Sequence, residues 1–208
     1  MVQTAIATLN DVDDILECIN DAFMEYAFFK KPEYHQKFTR ENVTSMLLQK
    51  DSVFILAYNN EICEHFKNKV VGTIFLHWIT TTETYVLEND SIAKVTLIGK
   101  FSSLSVPPKY ANQGFGKALV SSAEKYLCQE VFNTIQHTTL SASDSNKKKQ
   151  FGVLMELKAI NFRKDLLSWY EKQGYQFISE IRQLDAAFTR RLLEDKDVYF
   201  ILMRKILM

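Results

Sequence analysis

Gly114 and Gly116 stand at the head of a helix. They belong to the run Leu104-Ser-Val-Pro-Pro-Lys-Tyr-Ala-Asn-Gln-Gly-Phe-Gly-Lys-Ala-Leu119, where an apolar strand gives way to a turn and then to an amphipathic helix. Glycine lacks a Cβ, so its backbone can come close to a ligand. The first turn of a helix offers N–H groups with no intrahelical partner, together with the positive end of the dipole. These features make an anion site of the kind that holds a phosphate or pyrophosphate. Spacing excludes two common phosphate signatures. No GxxxxGK[ST] occurs, and GxGxxG would need glycine where Leu119 stands. Metal chemistry is not expected. Cys18, Cys63 and Cys128 are far apart with no CxxC, and His35, His65, His77 and His137 are scattered.

The elements that position this turn follow from periodicity. Val2 to Thr8 alternates as a strand. Asp11 caps a helix running to about Tyr26, with Val12, Ile15, Leu16, Ile19 and Phe23 on one face. Phe28 to Phe38 is an aromatic and charged connection broken by Pro32, and Thr39 caps a short helix carrying Val43, Met46 and Leu47. Ser52 to Tyr58, Lys69 to Thr80 and Lys94 to Val106 read as strands, the last ended by Pro107-Pro108. From Gly114 the period turns helical through Phe115, Ala118, Leu119, Ala123, Tyr126 and Leu127. Asn133 to Gln150 is a polar, exposed loop. Val153 to Ile160 is a strand, and Arg163 to Gln173 a helix closed by Gly174. Tyr175 to Glu180 and Asp197 to Arg204 are the final strands. The order is mixed α/β with antiparallel hairpins before the central helix.

Length and composition narrow the function classes. The 208 residues suit one domain, 1–208. Lys plus Arg equals Asp plus Glu at 25 each, and a balanced charge argues against a nucleic-acid partner, which needs a basic field. The longest apolar stretch, Val70 to Ile79, is about half of what crosses a bilayer, so no membrane association is expected. The N-terminus lacks the basic and apolar regions of a secretory signal. With no disulfide framework, a reducing, cytoplasmic setting is expected.

Two blocks carry a family resemblance. Val106-x-Pro108-x-Tyr110-x-x-x-Gly114-x-Gly116-Lys-Ala-Leu resembles the coenzyme A signature of the GNAT superfamily of acetyl-CoA-dependent N-acetyltransferases. Trp169-Tyr170-Glu171-Lys172-Gln173-Gly174-Tyr175 resembles that family's late-helix block, and the element order agrees along nearly the whole chain. The resemblance implies a splayed, mostly antiparallel central sheet of about seven strands flanked by about four helices. It implies coenzyme A in the V between the strand ending at Val106 and the strand from Val153. Leu104, Ser105 and Val106 would pair with the pantetheine arm. Ala111 would lie beside the phosphates, and the N–H groups of Asn112, Gln113, Gly114, Phe115, Gly116 and Lys117 would hold the pyrophosphate. Tyr110 and Phe115 also read as packing residues.

The implied reaction is attack of a primary amine on the acetyl thioester. An alkyl amine of pKa about 10 is protonated at pH 7, and a thiolate leaving from a thiol of pKa about 8.5 benefits from a proton. Tyr170 aligns with the tyrosine that serves the leaving thiolate and also contacts the cofactor. As one aromatic in the stripe Leu166, Leu167, Tyr170, it could instead be core. No base is assigned. The strand Val95 to Leu104 has no acidic residue, and Glu156 and Glu83 read equally as solvated or salt-bridged carboxylates. Ala111 and Arg163 depart from the family pattern. Arg163 is open to the cofactor or to a surface ion pair. The acceptor walls would be Phe28 to Phe38 and Ile181 to Lys196, suited to a small-molecule amine, with a peptide or protein amine as the alternative. A non-catalytic coenzyme A-binding protein is a rival reading, as is an unrelated α/β module in which the glycines only turn the chain. The oligomeric state, monomer or homodimer, is open.

Overall fold

The computed structural model describes residues 2–59, 69–81, 84–86, 92–132, 151–193 and 197–207. The expected loop 133–150, with Lys147 to Lys149, lies outside them, as do Glu83, Cys63, His65 and His137. The strands are β1 (Gln3–Ile6), β2 (Ser52–Asn59), β3 (Lys69–Thr80), β4 (Thr84–Val86), β5 (Ile92–Ser105), β6 (Phe151–Ile160), β7 (Gln176–Ile181) and β8 (Phe200–Ile206). The main helices are α1 (Val12–Phe23), α2 (Arg40–Leu47), α3 (Phe115–Tyr126) and α4 (Lys164–Lys172). The sheet runs β1-β2-β3-β5-β6-β8-β7, and the short β4 pairs with β5. Every pairing is antiparallel except β5 with β6.

Both faces of the sheet are covered, which explains why its strands are near-continuous apolar runs. On β2, Val53, Ile55 and Ala57 join the core beneath α3 and α4, while Phe54 and Leu56 face α1 and α2. The α1 stripe Val12, Ile15, Cys18, Ile19 and Ala22 is buried at helical spacing. Among the described residues, no helix is long and apolar enough to cross a membrane.

Several boundaries move for local reasons. Asp11 stands at the N-cap position of α1 but makes no side-chain bond to its first turn. Its carboxylate accepts the Thr8 backbone N–H at 2.7 Å, and Thr8 caps a 3-10 turn one step earlier. The α-helix ends at Phe23, and a 3-10 helix carries the chain from Met24 to Phe29. Thr39 does cap α2, in a reciprocal box with Asn42. The last strand starts at Phe200, because Asn161 accepts the Tyr199 N–H and donates to the Asp197 carbonyl, holding that entry out of the ladder.

Past Tyr126, α3 widens into a π-helix, Leu127–Phe132. Leu127 there is fully buried against Gly99 of β5. A Cβ at Gly99 would lie 2.4 Å from Leu127 Cδ2 and 3.0 Å from Met155 Sδ. Gly99→Ala therefore overpacks the sheet–helix contact and should cost about 1–3 kcal/mol in denaturant unfolding. Leu127→Ala opens a cavity of its own, so the double variant should lose less than the sum of the two single losses. Strict additivity would show that the contact is not the cause.

Candidate functional site

The parallel pair creates the cleft. β5 and β6 pair from Lys94↔Phe151 to Phe101↔Leu157, with one register shift between Val95 and Leu97, and then part. Beyond that point Ser102 and Ser105 pair with β3, while Lys158 to Ile160 pair with β8. A bulge bends β5 as it leaves, with Ser103 held at a φ of 49°. The Ser103 carbonyl accepts the buried hydroxyls of Thr73 at 3.4 Å and Ser105 at 3.0 Å, which fixes the bend.

On one side of the gap lies a cavity of about 390 Å³. Leu104, Val106, Ala111, Asn112, Gly114, Phe115, Gly116, Lys117 and Tyr170 line it, as the sequence reading grouped them. Ser105 and Gln113 do not. The Ser105 carbonyl receives the Cys18 thiol at 4.0 Å, its hydroxyl donates to the Ser103 carbonyl, and the Gln113 side chain folds back onto the Lys109 carbonyl at 3.2 Å. Asn112 at φ 61° and Gly114 at φ 86° turn the chain into α3. The first helical bond is Ala118 N–H to the Gly114 carbonyl at 3.0 Å. Among the described residues, the backbone N–H groups from Asn112 through Lys117 have no acceptor, and no side chain caps the helix. A Cβ on Gly114 would meet nothing within 4 Å, so open space lies ahead of the turn. The arrangement fits an anion larger than a single carboxylate.

Tyr170 closes the inner end. It is 4% exposed, and its ring meets Trp169, Phe101 and Tyr175 at centroid distances of 5.0, 5.9 and 5.9 Å. The end of α4 fixes it. Tyr175 N–H donates to the Tyr170 carbonyl at 3.1 Å, Gly174 N–H donates to the Glu171 carbonyl at 2.9 Å, and Gly174 has a φ of 89°. Burial, with Tyr26 nearby, pushes the Tyr170 phenol up, so it holds its proton. Among the described residues its hydroxyl has no hydrogen-bond partner. Arg163, left open above, is committed to carboxylates. It donates to Asp165 at 2.9 Å and Glu25 at 3.1 Å, and to the Tyr26 hydroxyl at 3.2 Å, tying α4 to the segment after α1. Glu156 is likewise spoken for, bound by Arg204.

A second cavity of about 360 Å³ lies on the other side of Tyr170, and Phe23, Tyr26, Leu104, Leu166 and Tyr170 belong to both walls. The two expected acceptor segments meet there. Lys30 bridges Leu192, Lys31 N–H donates to the Arg191 carbonyl at 2.9 Å, and Leu193 N–H donates to the Phe29 carbonyl at 3.0 Å. Lys37 is the residue that sequence reasoning missed. Its Nζ donates to Ser103 Oγ at 3.2 Å and sits 3.4 Å from the Phe23 ring centroid. Burial, with Lys30 nearby, holds it well below the usual lysine range.

The sequence profile of the acetyltransferase (GNAT) family matches residues 13–150. No curated protein matches the chain. Among solved structures, Arabidopsis thaliana NAA60 in complex with a bisubstrate analogue is similar at a TM-score of 0.64 and 11% identity, covering 99% of each chain. The PaiA N-acetyltransferase of Thermoplasma acidophilum, in complex with coenzyme A, is similar at 0.60 and 15%, covering 99% of this chain and 98% of its own. The Escherichia coli ribosomal-protein-S18-alanine N-acetyltransferase is similar at 0.57 and 13%, covering 100% and 94%. At such identities these likenesses show the fold.

The half-buried Lys37 has a consequence for stability. Its folded pKa lies below the unfolded value, so the unfolded chain binds the extra proton between the two. Stability therefore rises as pH climbs toward about 10.4. Measured against Lys37→Met in denaturant melts, the wild type should gain stability over that climb. Parallel curves would mean that the ammonium is not disfavoured in the fold.

Proposed function

The chain belongs to the acetyltransferase (GNAT) family, and we propose that it moves the acetyl group of acetyl-CoA to a primary amine, most readily a small-molecule amine. The observation that carries this reading is the row of unpaired N–H groups from Asn112 to Lys117, opening on a cavity that ends at Tyr170. Bound acetyl-CoA would supply an activated acetyl group that an amine attacks directly, with coenzyme A leaving as a thiol. The N–H groups and Lys117 would hold the pyrophosphate, and Leu104 and Val106 would flank the arm. Tyr170 would keep a proton at its hydroxyl for the departing sulfur. Its place between the cavities lets it face cofactor on one side and acceptor on the other. The acceptor would enter between the 3-10 segment after α1 and the strap at Arg191 to Leu193. We take 1–208 as one domain, since one sheet runs from β1 to β8. A cytoplasmic setting is supported by the free thiols of Cys18 and Cys128.

Calorimetry with acetyl-CoA, using NADH as the control, tests the cradle, and free-thiol release with an amine panel tests the transfer. Binding without release to any amine would favour the non-catalytic alternative. Gly116→Glu is the sharper probe. The backbone there has ordinary φ, and the new Cβ would stand 3.7 Å from Trp169, an ordinary contact. A carboxylate in the first turn favours the helix, yet it repels a pyrophosphate. Acetyl-CoA affinity should fall about tenfold or more while the melting temperature holds. Retained affinity would move the cofactor elsewhere.

Tyr170→Phe removes only the hydroxyl. Turnover should fall about tenfold or more, with acetyl-CoA affinity held. Because the phenol is raised above its ordinary value of about 10, wild-type turnover should show no acid-group loss below that pH. An unchanged rate in the variant would return Tyr170 to the core.

A further inference from the structure

Among the described residues, the acceptor chamber is lined by Lys30, Lys37, Lys158 and Arg191 but by no aspartate or glutamate. Among the described residues, none of these four pairs with a carboxylate. Lys30 and Arg191 face aromatic rings instead, Lys30 at 5.8 Å from Phe29 and Arg191 at 5.9 Å from Tyr34. The backbone brings the two cations side by side through the Lys30↔Leu192 bridge and the Lys31–Arg191 bond. Burial and Arg191 hold Lys30 below the usual lysine range, as expected for a cation crowded by another and lacking an anion. Phe29, Phe38, Phe188 and Phe200 give the chamber an apolar wall beside the polar Gln36, Ser102 and Ser103.

Building on the acetyltransferase reading, we propose that the acceptor is a small amine that also carries a carboxylate on an apolar or aromatic body, the size and chemistry of a hydrophobic amino acid. The carboxylate pairs with Lys30 and Arg191, the body lies among the phenylalanines, and the amine reaches toward Tyr170. A polyamine or a basic peptide would bring more positive charge into a chamber already short of anions. A carboxylate-free amine of the same shape would leave the cations unpaired. At about 360 Å³ the chamber sits near the lower end of small-ligand cavities.

Matched pairs test this, with phenylalanine against 2-phenylethylamine, leucine against isopentylamine, and spermidine as the cationic control. Each is measured by thiol release with acetyl-CoA and by calorimetry on protein with and without coenzyme A. The acids should exceed their carboxylate-free partners by about tenfold or more, the scale of a charge-assisted pair. Lys30→Gln and Arg191→Gln should each erode that ratio by about tenfold, and acetyl-CoA affinity should hold, since neither residue lines the cofactor cavity. Equal or better use of the carboxylate-free amines, a preference for spermidine, or a ratio that survives both substitutions overturns the proposal. So does failure of both acids to bind or react. Loss of acetyl-CoA binding in the wild type would instead sink the cofactor reading, and calorimetry on the unliganded protein would still decide the acid preference.

Discussion

The site depends on one constraint: beyond Phe101↔Leu157 the two parallel strands are each held by a different neighbour and no longer pair with one another. β5 is drawn toward β3 by the bulge at Ser103, and β6 is held by β8 through Ile160. After Phe101↔Leu157 the ladder between them ends. Unpaired strand groups in a core are costly, so such a gap persists only when its surroundings enforce it. Here the Ser103 carbonyl collects two buried hydroxyls and its side chain accepts from Lys37. The groups proposed to hold and serve the cofactor lie along the two edges of that gap or on the helices that follow them.

The helices contribute by how they begin and end. α3 begins without a cap, and its free N–H groups face a cavity. α4 ends in a glycine motif that ties Tyr175 back to Tyr170. That motif does more than stop a helix. It locks the backbone of Tyr170 while Tyr175 packs against its ring and anchors its own hydroxyl on Glu124 at 2.8 Å. A side chain that must present a proton at a fixed point gains from support that comes from its own helix end rather than from a mobile loop.

Much of this was legible in the sequence. The helix starting at Phe115, the capping of α2 by Thr39 and the end of α4 at Gly174 rest on local signals, namely period, cap and glycine, and they stand as read. Asp11 holds the N-cap position of α1 as read, yet only geometry shows that its carboxylate serves the box with Thr8 instead of the helix behind it. The bulge at Ser103 carried no sequence signal, since a strand approaching a site looks uniform there. Lys37 carried no signal at all. It stands in a polar segment beside Pro32 and His35, and only the tertiary fold encloses it between Phe23 and Ser103.

The missing carboxylate base is then less of a puzzle than the sequence makes it. Glu156 is bound by Arg204, and β5 offers no acid. Yet an acceptor amine must shed a proton before it attacks. At an effective dielectric of about 20, two like charges about 6 Å apart repel by roughly 3 kcal/mol, or about two units of pKa. A cationic chamber can therefore bring an amine of pKa about 10 to within reach of neutral pH with no carboxylate to help. Lys30 and Lys37 display the same effect on themselves, since each is lowered by burial and by a neighbouring cation. One carboxylate on the ligand offsets one of these charges and leaves the others in place. Holding the acid and freeing the amine are thus compatible tasks for a single set of cations, and a wall that among the described residues carries no aspartate or glutamate suits both.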